Sequence, residues 1–147
     1  MAEPPGSVLF CCTSNAIRSP MAEAIAKHYY ARQIFIDSVG VVAGQLDPLA
    51  VEVMDEIGID LKGHRPKTFS DLEDTSFDLV IPLSPQAHHR ALELTRYMAC
   101  EVEFWNTFDA SSVEGSRETQ LAAYRSVRDY LLRKILNRFG PPRPPVV

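Results

Sequence analysis

Basic charge is scarce in this chain. Fifteen Lys and Arg (15) stand against 19 Asp and Glu, a formal net charge of −4 at neutral pH. A surface without cationic excess is a poor partner for nucleic acid or for an anionic membrane. No apolar run reaches membrane-spanning length, and the opening Met1-Ala2-Glu3-Pro4-Pro5 has no basic-then-apolar signal pattern. The expectation is a cytoplasmic protein, with neither nucleic acid nor membrane among its partners. Cysteines are few and odd in number, 3 in 147 residues, which excludes a disulfide framework. The 4 histidines form no clustered His/Asp set, so neither a metal nor another cofactor is expected.

What remains is a chain of 147 residues with 46% apolar content, enough for one globular domain with a real core. That domain is expected over residues 7–139. Residues 1–6 and 140–147 are read as extended or disordered tails, because clustered prolines make neither helix nor sheet ladders. No internal repeat is present.

The densest chemistry lies just after the first apolar run, Val8-Leu9-Phe10-Cys11. There the chain reads Cys12-Thr13-Ser14-Asn15-Ala16-Ile17-Arg18-Ser19-Pro20. A strand delivers the Cys12 thiol, a tight loop supplies backbone N–H groups, and a helix opens at Ser19-Pro20, a cap-plus-proline pair. Asn15 tolerates the left-handed backbone that such a curl demands. Amides converging at a helix start bind anions and favour a thiolate. Arg18 adds a planar fork for two oxygens of a phosphate-like dianion. Thr13, Ser14, Asn15, Ala16, Ile17, Arg18 and Ser19 would then line an oxyanion cradle, and attack of sulfur on phosphorus is the reaction that fits it. The plainer reading is a buried core cysteine with an arginine five positions on by chance. Cys11 would face the opposite side of its strand as a small core residue, and Cys100 reads as structural.

Strand and helix patterns alternate along the chain. Strands are expected at about 7–11, 34–39, 77–83 and 101–105, with Pro82 at the end of the third because it lacks a ladder donor. Helices are expected at about 20–32 (Met21, Ile25 and Tyr29 on one face), from Asp47-Pro48 to Gly58 (Leu49, Val53, Ile57), from Ser84-Pro85 to about Met98, and from Arg117 to Phe139. The last carries a buried stripe of Leu121, Tyr124, Val127, Leu131 and Ile135. Ser70-Asp71-Leu72-Glu73 reads as the capping box of a further short helix. Such alternation implies an α/β fold, a four-stranded parallel sheet with helices on both faces in three layers. Ligands then bind beyond the carboxyl ends of the strands, where Cys12 and Asp109 both fall. Adjacent His88 and His89 read as a solvated pair, His64-Arg65 as a structural loop contact, and Glu23 as structural.

The run Val8-Leu9-Phe10-Cys11-Cys12-x-x-Asn15-x-x-Arg18-Ser19-Pro20-x-Ala22-Glu23 resembles the signature of the low-molecular-weight protein tyrosine phosphatase family, which also contains arsenate reductases of the same fold. Weaker similarity continues through Asp37-Ser38, Gly40, Asp47-Pro48 to Gly58-Ile59, His64-Arg65 and Phe77 to Ile81. The resemblance implies a flavodoxin-like fold of the phosphotyrosine phosphatase I type. It implies Cys12 as nucleophile, Arg18 as phosphate clamp and Ser19 as donor to the Cys12 sulfur. Asp109, in the late loop, would be the acid. The chain departs from the pattern at three places. Ser14 stands at the loop glycine, Ile17 at the second loop cysteine of many members, and Asp109-Ala110-Ser111-Ser112 replaces an Asp-Pro-aromatic segment.

The implied activity is a cysteine-dependent phosphomonoesterase acting on a phosphorylated protein or a small phosphomonoester through a phosphoryl-cysteine. Inorganic phosphate or another oxyanion would occupy the same cradle. Two other readings stay open: an arsenate reductase served by an external thiol, and a non-catalytic module that holds phosphate groups.

Overall fold

The computed structural model describes residues 4–73 and 76–142. Its elements are β1 (Ser7–Cys12), α1 (Arg18–Tyr30), β2 (Phe35–Gly40), α2 (Pro48–Asp55), β3 (Leu79–Pro82), α3 (Pro85–Leu94), β4 (Glu101–Val102) and α4 (Arg117–Phe139), with two short 3-10 turns at Phe69–Asp71 and Ala110–Ser112. The four strands form one parallel sheet in the order β2-β1-β3-β4. β1 is therefore central, and Cys12 at its end lies opposite Gly40 of β2.

Alternation along β1 divides the core. Val8, Phe10 and Cys12 face the layer of α1, α2 and α4, whereas Leu9 and Cys11 face α3 and the Phe69 turn. Cys11 and Cys12 thus point to opposite faces, as a two-residue period requires. Leu121, Tyr124, Val127, Leu131 and Ile135 of α4 are all buried. Full burial of a large apolar side chain contributes roughly 1.5–3 kcal/mol, so this stripe is what fixes α4 on the sheet.

Several boundaries differ from the sequence reading. On α1 it is Tyr30, not Tyr29, that is fully buried, and its hydroxyl donates to the Gly140 carbonyl at 2.6 Å. Ala50, Val53 and Met54 form the buried face of α2, with Leu49 and Ile57 half-buried beside it. α3 stops at Leu94, where a turn to Met98 takes over. β4 has only two residues, although Glu103, Trp105 and Thr107 continue to donate to Val80, Pro82 and Leu83. The capping box forms between Thr68 and Asp71 rather than Ser70 and Glu73. His88 is not solvated like His89; it stacks on Phe104 at 4.4 Å. Gly6 and Gly140, the inner ends of the two expected tails, are hydrogen-bonded to Asp78 and Tyr30; residues 1–3 and 143–147 lie outside the described residues.

Candidate active site

The connection from β1 to α1 wraps tightly because Asn15 adopts φ +51°, the one positive value among the described non-glycine residues. Gly40, at the end of β2, lets the loop close. A Cβ built on it would lie 2.4 Å from the Val42 carbonyl oxygen and 2.7 Å from the Asn15 amide nitrogen. Backbone must shift to admit it. Gly40→Ala is expected to lower stability by about 1–3 kcal/mol and to reduce kcat/KM, measured by thermal unfolding and steady-state kinetics. Ser14 carries no positive φ, and its Cβ lies 3.1 Å from where a Cβ on Gly44 would be. The bare Gly44 therefore makes the space for Ser14.

The start of α1 differs from the other helices. Asp47, Ser84 and Ser116 cap α2, α3 and α4 with side-chain oxygens, while Ile17 caps α1 with none. Ser19, expected as the cap, sits inside the first turn, and its hydroxyl turns back to lie 2.9 Å from Cys12 Sγ. The leading amides of α1 are thus left to an anion.

Behind the loop, one buried carboxamide organises the nucleophile. Asn15 Nδ2 donates to Ser19 Oγ at 2.8 Å and to Ser38 Oγ at 3.0 Å. Asn15 Oδ1 accepts from His64 Nε2 at 2.9 Å and from the Lys67 amide at 3.0 Å. An amide oxygen only accepts, so His64 carries its proton on Nε2. Ser38 in turn donates to Glu23, which also binds Lys27. Ser19, already accepting from Asn15, has one proton for two acceptors, and the Cys12 sulfur at 2.9 Å is nearer than the Val39 carbonyl at 3.4 Å; the Asn15 amide donates to the sulfur from 3.2 Å. Two donors aimed at one sulfur stabilise negative charge there. Asn15 and Ser19 therefore support Cys12 from below and do not line the cavity above it.

Burial pushes the His64 imidazole down from its ordinary value, against an opposing pull from Glu23. A histidine held neutral by the fold binds its proton more readily when unfolded. Its share of stability is present above about pH 6.5 and is lost as pH falls through the lowered value. The melting temperature should fall on acidification below neutrality. In His64→Gln, which keeps a donor for Asn15, that part of the slope should flatten.

Above the sulfur opens a cavity of about 560 Å³, lined by Cys12, Thr13, Ser14, Ala16, Ile17 and Arg18 of the loop and by Gly44, Gln45, Asp47, Gln86, Asp109 and Ser111 around it. Arg18 Nη1 donates to the Thr107 carbonyl at 3.1 Å and Nη2 to Thr13 Oγ1 at 3.5 Å. Both acceptors are neutral, and among the described residues no carboxylate pairs with Arg18, which keeps its charge for an anion. Asp109 caps the 3-10 turn at Ala110–Ser112, its Oδ1 accepting from the Ser111 amide and hydroxyl. It binds its own turn and lines the cavity at once.

The remaining thiols stand apart. Burial, reinforced by Cys12, pushes the Cys11 thiol up, and Cys11 faces the opposite layer. Cys100, raised by burial, lies by β4 at the other end of the sheet from the cavity.

A family model described as low molecular weight phosphotyrosine protein phosphatase matches residues 7–136. The chain belongs to this family. A protein named arsenate reductase, from Shouchella clausii, is 31% identical over 129 residues, 87% of this chain and 91% of that one. A solved arsenate reductase in its phosphate binding state is 26% identical with a TM-score of 0.67, covering 89% of this chain and 94% of the other. The tyrosine phosphatase AmsI of Erwinia amylovora shares the fold, at 19% identity and a TM-score of 0.71 over 92% of this chain and 91% of its own. Membership accords with the sulfur-centred loop. The sequence reading missed the parts that other segments bring to it: Ser38, the His64 contact with Asn15, and Gln86. Ser84-Pro85 was legible as a helix start, and a polar Gln86 in that first turn is the signal that could have pointed to the cavity.

Proposed function

We propose that the protein is a cysteine-dependent phosphatase that hydrolyses phosphate monoesters through a phosphoryl-cysteine. The carrying observation is that Cys12, met by two donors, opens into a cavity at the one described helix start without a side-chain cap. The dianion docks on the loop amides and Arg18. Cys12 Sγ attacks phosphorus as the bond to the leaving oxygen breaks, and Asp109 gives that oxygen its proton. Asp109, now ionised, takes a proton from the water that displaces the sulfur. Thr13, Ser14, Ala16 and Ile17 present backbone to the phosphoryl oxygens, while Asn15 and Ser19 hold the sulfur. A reducing cytoplasm suits such a thiol.

Similarity to arsenate reductases favours a second reading, since arsenate fits the same cradle. Its redox cycle needs another thiol, and Cys11 and Cys100 face elsewhere, so that thiol would come from outside. One assay separates the two. Turnover of p-nitrophenyl phosphate without added thiol is the expected result. Arsenate reduction on adding a small thiol or a thiol protein, with no ester hydrolysis, would overturn the phosphatase reading.

A further inference from the structure

Polar side chains enter the outer wall of the cavity from three segments. Gln45 and Asp47 come from the β2–α2 connection, Gln86 from the first turn of α3, and Asp109 and Ser111 from the loop after β4. Among the described residues no aromatic ring lines it. Phe108, beside Asp109, is 59% exposed and stays outside that lining.

The two carboxylates among them are held in place by the protein itself. Asp47 Oδ1 accepts from the Leu49 amide at 2.8 Å and Oδ2 from the Tyr124 hydroxyl at 2.7 Å. Asp109 Oδ1 is fixed by Ser111. The Gln86 carboxamide oxygen lies 3.4 Å from Thr13 Oγ1, whose one proton has a nearer acceptor in Ser84 Oγ at 3.0 Å, so the exposed Gln86 can turn either its oxygen or its two amide hydrogens to the cavity. Each Asp47 oxygen keeps a lone pair beyond the one bond it accepts, whereas Asp109 Oδ1 already accepts two bonds from Ser111 and the acceptor capacity left on Asp109 is that of Oδ2. The wall therefore offers fixed acceptors on Asp47 and Asp109 and an adaptable carboxamide on Gln86 beyond the reach of the phosphoryl group. Pre-oriented acceptors of this kind confer selectivity, because little ordering is left to do on binding.

We propose, resting on the phosphatase reading, that the substrate is a phosphate monoester of a polyhydroxylated molecule, a sugar or polyol phosphate, whose hydroxyls are read by Gln86 and Asp47. A hydroxyl both donates and accepts, so it satisfies a carboxylate and a carboxamide N–H together. A phenyl ring would strip water from these groups and return no hydrogen bond, the costly case for a polar wall. The chemistry is unchanged. Sulfur bonds to phosphorus, the phosphorus–oxygen bond to the polyol breaks, and the Asp109 proton goes to the departing alkoxide.

The test is calorimetric titration of Cys12→Ser, which binds without turnover, with glucose monophosphate, phenyl phosphate, N-phosphoarginine and inorganic phosphate, repeated in Cys12→Ser with Gln86→Leu. Glucose monophosphate should bind about tenfold more tightly than phenyl phosphate or more, and the Gln86→Leu change should erase most of that ratio. Gln86 is exposed, and circular dichroism of the double variant checks its fold. Equal or tighter binding of phenyl phosphate or of N-phosphoarginine overturns the inference, as does a ratio that Gln86→Leu leaves unmoved. Failure of the underlying reading looks different: wild type does not hydrolyse p-nitrophenyl phosphate, and Cys12→Ser binds no phosphate at all.

Discussion

Replacing Cys12 by serine is expected to lower phosphomonoester turnover by about 10⁴-fold or more, the scale on which removal of a nucleophile acts. Serine keeps the volume and a polar atom at that position. What it loses is the intrinsic nucleophilicity of sulfur, since a serine hydroxyl needs a general base to take its proton before it can attack. The two donors at this point, the Ser19 hydroxyl and the Asn15 amide, are arranged for an acceptor. They stabilise a thiolate and do nothing to deprotonate an alcohol. Phosphate affinity should survive, since the amides at the start of α1 and the Arg18 guanidinium are untouched. Steady-state kinetics and phosphate titration of the same preparation check both halves of the prediction. Loss of binding together with turnover would show a collapsed loop and not a missing nucleophile.

Asp109→Ala is expected to reduce kcat by about 10²–10³-fold, as loss of a positioned proton donor does. The effect should depend on the leaving group. A nitrophenolate departs without help, whereas an alkoxide needs the proton in the transition state. The drop should therefore be smaller for p-nitrophenyl phosphate than for an alkyl phosphate, a contrast that a purely structural role would not produce. Asp109 has such a structural role too, since it caps the 3-10 turn through Ser111. Asp109→Asn keeps an acceptor for that turn and removes only the acid. Equal losses in the Ala and Asn variants, with the leaving-group contrast, assign the effect to proton transfer.

Much of this arrangement could be read directly from residues close together in the chain. The strand, the curled loop and the following helix occupy one short stretch, and Asn15 takes the positive φ that its residue type allows. The stripe on α4 and the caps at Asp47 and Ser84 are local signals, and each appears in the fold. The start of α1 was misjudged for a physical reason. A serine before a proline looks like a cap, but here its hydroxyl is drawn to the sulfur and to Asn15. The support of the loop was illegible because it is assembled by tertiary contacts. Ser38 and His64 reach Asn15 from 23 and 49 residues away, and no spacing rule links them. β4 was overestimated because its apolar run continues to pair with β3 through Glu103 and Trp105 outside regular strand geometry. The wall of the cavity is likewise built from three separate segments, and while the stretches up to Asp47 and around Asp109 could be placed there, Gln86 in the first turn of α3 could not.

The proposed reaction requires a covalent bond between Cys12 and phosphorus. Rapid acid quench of Asp109→Asn during turnover of p-nitrophenyl phosphate, followed by mass spectrometry of its peptides, measures that bond directly. A fraction of the peptide containing Cys12 should carry the mass of one phosphoryl group, and Cys12→Ser should carry none under the same quench. Steady release of phosphate with an unmodified Cys12 peptide, or with the label on another residue, would contradict the account.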